Sequence, residues 1–204
     1  MKANASLWWP LGLILALALA RWPGFLPDDW QNFSPVYALA FCAGVYLRGP
    51  LAWVVPLGTL FVTDVLLNVF YYHTAFPVHP YMLVTYAFYA GLIWFGRLHS
   101  AQSSWLRLLC GGLLGALAFY FITNSWSWMH DPGYPKTLAG WIQALTTGLP
   151  GFPPTWTFFR NTLMSGGLFT GLFVGAMKLS EAPEPEPEEE PEAAPEPEPE
   201  HPPA

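Results

Sequence analysis

The chain reads as an all-α integral membrane protein: a compact bundle of about six transmembrane helices over residues 1–180, followed by an acidic disordered tail over residues 181–204. Three observations carry that reading. Of 204 residues, 53% are hydrophobic and only 11% are charged. Ten of the fourteen acidic residues lie after Ser180, so the body keeps only Asp28, Asp29, Asp64 and Asp131 against all eight Lys and Arg. Apolar stretches approaching the ~20 residues that cross a ~30 Å hydrocarbon core recur along that body. A water-facing domain carries about a quarter of its residues as charges. The composition therefore excludes a soluble enzyme, a nucleic-acid binder and a disulfide-framework secreted domain. Cys42 and Cys110 lie in apolar stretches without metal spacing and read as small packing residues.

The spans follow in order. The first runs from about Leu7 to Ala20, and Lys2 with Ala18-Leu19-Ala20 also imitates a cleavable leader. The second, Pro35 to Leu47, is short and parted from the third by Arg48-Gly49-Pro50. The third covers Leu51 to Tyr71, the fourth Tyr81 to Phe95, the fifth Trp105 to Asn124 and the sixth Phe158 to Met177. Between the last two, Leu138, Trp141, Ile142, Leu145 and Leu149 recur at helical spacing, which predicts an interfacial or capping helix over Thr137 to Leu149. Gly111 and Gly115, and Gly167, Gly171 and Gly175, have the four-residue spacing of close helix packing, either within the bundle or at a dimer contact.

Orientation follows from the basic residues in short loops. With both termini in the cytoplasm, Lys2, Arg48, Arg97, Arg107 and Lys178 lie inside and Arg21, Lys136 and Arg160 outside. The outer loops, Arg21 to Ser34, Tyr72 to Pro80 and Ser125 to Thr157, then hold six of the eleven Trp and three of the five His. The tail repeats Glu-Pro pairs, which favour an extended strand over a packed core, either as a solubilising spacer or as a docking segment for a basic partner.

Polar side chains within spans are costly and mark pockets or pathways. Asp64 sits about 20 Å along the third span, with Asn68 one turn outward on the same face and Tyr71, Tyr72 and His73 above it. Asn124 ends the fifth span at that level, and Arg160 with Asn161 begins the sixth there, so Arg160 is expected to pair with Asp64. The expected site is a cup opening outward, with Asp64, Asn68, Asn124, Arg160 and Asn161 as walls, Asn32, His73 and Lys136 from the loops, and Trp126 and Trp128 as stacking surfaces. His73, His79 and His130 lack metal-ligand spacing, and no catalytic constellation, nucleotide-binding turn or cofactor motif occurs.

Asn32-Phe33-Ser34-Pro35, Asp64, Thr123-Asn124, Tyr134 to Gly140 and Phe158 to Thr162 together resemble a group of bacterial membrane proteins of unknown function classed with transport. Those in turn resemble the substrate-capturing S components of energy-coupling-factor (ECF) vitamin transporters. The resemblance covers roughly Arg21 to Met177. It implies a six-helix bundle in the bacterial cytoplasmic (inner) membrane that binds a small vitamin-like molecule in an outward cavity. It also implies a separate ATPase and coupling membrane subunit as partners. The alternative from another class is a membrane scaffold that recruits a partner through its acidic tail.

Overall fold

Proline, glycine and capping hydroxyls set the helix boundaries. A computed structural model describes residues 30–74 and 80–181, with Gly12, Leu15, Ala16, Leu19, Arg21, Trp22, Leu26 and Pro27. Six helices are bounded among the described residues, α1 (Val36–Tyr46), α2 (Leu51–Phe70), α3 (Pro80–Arg97), α4 (Trp105–His130), α5 (Leu138–Leu145) and α6 (Thr155–Glu181), and no strand occurs among them. Pro35 precedes α1, and Gly49, at φ 61°, turns the chain into Pro50 at the start of α2, a backbone conformation glycine adopts without steric cost. Ser104 accepts from the Arg107 N–H at the start of α4 and Thr137 from the Gly140 N–H at the start of α5, satisfying amides that have no partner within the helix.

Helix α1 is the hub. It packs against α2, α3, α4 and α6, while the other extensive pairing is α4 with α6. Residues Val36 to Gly44 are all buried, and a helix apolar on every side belongs in the interior. The α1–α3 crossing is closest at Gly44 and Gly96, where an added Cβ would run into the Ile93 and Phe41 carbonyls. The glycines of α6 face α4 within the chain: Gly167 lies against Leu113, Gly171 against Trp105 and Leu109, and the Trp105 indole donates to the Gly171 carbonyl at 3.2 Å. Gly112 of α4 in turn receives Thr170.

Polarity is arranged inside out. Asn161, Thr162, Ser165 and Thr170 of α6 are fully buried, whereas Val54, Phe61, Val62, Val65, Leu66, Val69 and Phe70 of α2 are exposed. Such an apolar outer face is costly in water and at ease against acyl chains. Among the described residues, three helices are long and apolar enough to cross a membrane: Leu51–Phe70, Trp105–His130 and Thr155–Ser180. This fits a membrane protein, and of the six expected spans it supports these three. With 11 residues, α1 is roughly 16 Å long, half a bilayer core, and it is confined to the interior. In α3, Pro80, three tyrosines, Thr85 and Arg97 dilute the apolar content of only 18 residues. Most of the expected first span, His79 and the tail beyond Glu181 lie outside the described residues.

Candidate functional site: an aromatic cavity around an ion pair

At the end of the bundle where α1 and α3 begin and α2 finishes, a cavity of about 800 Å³ opens. Its floor is aromatic. Tyr37, Tyr89 and Phe119 come from α1, α3 and α4, with Tyr89 and Phe119 stacked at 5.5 Å and Tyr37 edge-on to Phe119 at 5.0 Å. One wall is α2, through Leu60, Asp64, Leu67 and Asn68. The opposite wall is α3, through Tyr81, Met82, Thr85, Tyr86 and Tyr89. Arg21, Trp22, Leu26, Pro27 and the turn from Trp30 to Ser34 lie across the opening, and Tyr71 and Tyr72 stand at its rim.

An ion pair holds the middle of this space, and its cation is Arg21. One Arg21 Nη donates to Asp64 Oδ1, and Tyr86 Oη donates to Asp64 Oδ2 at 2.6 Å. The expected Asp64–Arg160 pair is therefore corrected. Arg160 lies on the exposed side of α6, with its guanidinium 5.8 Å from the Trp156 ring and its Nε donating to Asn161 Oδ1 at 3.2 Å. Arg21 and Arg160 both enter from the same end of the bundle, so depth alone could not choose between them. The packing of α1, α2 and α3 puts the segment before α1 over Asp64 and leaves α6 behind α1 and α4.

Of the nine residues expected in the site, Asn32, Asp64 and Asn68 line the cavity. Asn32 has φ 66°, a left-handed conformation that asparagine tolerates better than most residues, and its carbonyl accepts from Tyr37 Oη at 3.5 Å. Asn68 donates from Nδ2 to the Asp64 carbonyl at 2.8 Å and accepts from Thr74 Oγ1, fastening the end of α2. Asn161 reaches the cavity indirectly. It is fully buried and donates from Nδ2 to the carbonyl of Gln31, a lining residue, at 2.9 Å.

The others do not converge there. His73 is exposed with φ 51° beyond α2. Asn124 donates back to the Tyr120 carbonyl at 2.8 Å along its own helix. Trp126 stacks on His130 with ring centroids 3.7 Å apart, and borders a separate apolar groove with Phe121, Ile122, Met129 and Trp141. Lys136 Nζ caps the carbonyl of Asp131 at 2.6 Å and that of Trp128, where the negative end of α4 favours a cation. Trp128 is likewise occupied, its indole donating to the Pro135 carbonyl at 2.8 Å.

The Tyr134 to Gly140 segment thus docks a turn on the end of α4 and contributes nothing to the cavity. An added Cβ at Gly140 would meet the Pro135 carbonyl. Burial raises the Tyr134 phenol above its ordinary pKa, and the nearby Asp131 carboxylate raises it further. Tyr120 Oη, donating to the Leu145 carbonyl, ties α5 to α4. Helix α5 is shorter than the expected Thr137 to Leu149, because Gln143 and Gly148, the latter at φ 72°, close the chain into a turn.

The largest omission from the expected site is the tyrosines of α1 and α3, since Tyr71 and Tyr72 alone were placed above Asp64. Six of the nine in the chain line the cavity: Tyr37, Tyr71, Tyr72, Tyr81, Tyr86 and Tyr89. On α3 a signal was present, since Tyr81, Thr85 and Tyr89 repeat every four residues and so share one helix face. No three His, Cys, Asp or Glu among the described residues come together as a metal site.

Comparison with curated proteins and with solved structures returns no match, so the likeness to vitamin-capturing subunits gains no support from either. A family model does match, over residues 1–187 of the 204. The chain belongs to that family, DUF6580, a family of unknown function.

Proposed function

We propose that this protein is a membrane-embedded capture subunit that holds a small, vitamin-like molecule in the cavity between α1, α2 and α3. The observation that carries this reading is the cavity itself. Its volume of about 800 Å³ falls within the ~300–1,000 Å³ typical of small-molecule sites, and a few polar groups among aromatic walls are the usual lining of such sites. The Arg21–Asp64 pair stands inside that space, where charged groups are costly unless compensated.

In this reading the chain crosses the membrane about six times, with both termini cytoplasmic and the cavity facing outward. The chain carries no nucleotide-binding motif, so accumulation against a gradient would draw on a separate ATPase and coupling subunit. Native mass spectrometry of the full chain released from lipid nanodiscs tests the proposal. A small molecule retained at one per chain is the expected result. A stoichiometric protein partner with no retained small molecule overturns it in favour of a membrane scaffold.

A further inference from the structure

Basic side chains collect at the end of the bundle opposite the cavity. There α1, α3 and α6 finish and α2 and α4 begin, and that end carries Arg48, Arg97, Arg107 and Lys178. The elements are tied together at this level: the Tyr46 ring lies 5.5 Å from that of Phe173, and Lys178 Nζ donates to the Ala101 carbonyl, between α3 and α4, at 3.5 Å. Arg48, Arg97 and Arg107 are exposed, and none of the three guanidiniums has a hydrogen bond or an ion pair among the described residues. Asp64 and Asp131 stand toward the cavity end, so the carboxylate that the described residues place with these cations is Glu181, the last residue of α6.

Residues 182–204 therefore begin beside the arginines, whichever way the chain is oriented in the membrane. Those 23 residues carry nine glutamates and no Lys or Arg. Glu-Pro pairs favour an extended chain rising about 3 Å per residue, a reach of roughly 70 Å. Helices packed ~8–10 Å apart make a bundle end only roughly 25–30 Å across, so reach does not limit contact. Pairs between exposed charges are individually weak, but tethering holds these carboxylates at an effective concentration on the order of millimolar, which lets several pairs act together. We infer that residues 182–204 lie back across the basic end of their own bundle, with their glutamates pairing with Arg48, Arg97 and Arg107. This surface is separate from the cavity and does not depend on what the cavity holds.

Pulsed electron–electron resonance on the full chain tests this, with one copy per phosphatidylcholine nanodisc so that no neighbouring tail takes part. Cys42 and Cys110 are replaced by Ala, and nitroxides are attached at Gln102→Cys, exposed between α3 and α4, and at Ala194→Cys. An undocked chain would carry position 194 about 13 residues, or ~40 Å, beyond α6. The docked chain is expected to hold the two labels roughly 20 Å apart at ~50 mM KCl, where surface charges are little screened. Raising KCl to about 0.5 M is expected to lengthen the separation by roughly 15–20 Å. Combining Arg48→Gln, Arg97→Gln and Arg107→Gln should lengthen it equally at low salt, with the unfolding midpoint unchanged because all three side chains are exposed. Arg160→Gln, at the other end of the bundle, should leave it as it is.

A long separation at low salt overturns the inference, as does a short one that neither salt nor the triple variant lengthens. Phosphate headgroups of anionic lipid are the competing occupant of the same guanidiniums. If the tail is distant at low salt and the triple variant loses phosphatidylglycerol that the parent retains in native mass spectrometry, the arginines belong to lipid and the inference fails. The capture reading stands or falls separately, on the small molecule retained by the parent.

Discussion

Breaking the Arg21–Asp64 pair gives the sharpest test of how this bundle is held at its polar end. Two unit charges about 4 Å apart attract by ~4 kcal/mol at an effective dielectric of ~20. The Arg21 side chain is 27% and that of Asp64 13% exposed, so solvent reduces this to a coupling of about 2 kcal/mol, between the surface and fully buried extremes. Arg21→Met strands the carboxylate, but Tyr86 still donates to it, so the expected loss is about 2–3 kcal/mol, below the 3–5 of a fully buried pair. Asp64→Leu strands the guanidinium and the Tyr86 hydroxyl together, and should cost about 3 kcal/mol.

The double variant should recover roughly 2 kcal/mol of the summed loss, whereas Asp64→Leu combined with Arg160→Met should be additive within about 0.5. Equilibrium unfolding in mixed micelles with increasing SDS, followed by tryptophan fluorescence, measures each corner of both cycles. Absence of coupling between positions 21 and 64, or coupling above about 1 kcal/mol between 64 and 160, refutes the reasoning.

Gly44→Val and Gly96→Val should each cost about 3 kcal/mol or fail to fold, because the new side chain meets backbone of the facing helix. Gly58→Ala and Gly91→Ala, where nothing lies within 4 Å, should be neutral or stabilising by up to ~1 kcal/mol in the same unfolding assay. Tyr120→Phe removes the donor to the Leu145 carbonyl, for an expected loss of about 1 kcal/mol and faster amide exchange across α5; unchanged exchange would show that α5 is held by other contacts. Topology is open to impermeant thiol labelling in intact cells after Cys42 and Cys110 are replaced: Pro132→Cys should label and Gln102→Cys should not, and the reverse pattern would turn the cavity toward the cytoplasm.

Much was legible from the chain alone, for reasons that are local. Scarcity of charge in the body and long apolar runs require a lipid-compatible outer face whatever the packing, and the exposed apolar side chains of α2 have it. The ends of α1, α2 and α5 were readable from Pro35, Gly49-Pro50 and Thr137, because caps and turns depend on neighbours a few residues away. Asp64 with Asn68 marked a polar site because a carboxylate within a span needs a partner wherever it lies.

Tertiary structure decided the choice among partners equal in depth. Arg21 rather than Arg160 meets Asp64 because α1, short and buried on all sides, occupies the centre and keeps α6 away from α2. The same arrangement turns the Tyr81, Thr85 and Tyr89 face of α3 into a cavity wall, while Lys136, Asn124 and Trp126 are taken up by the end of α4. Spacing along a helix determines which side chains share a face. Which faces meet depends on how closely the helices can approach, and here the glycines at 44 and 96 set the tightest crossing.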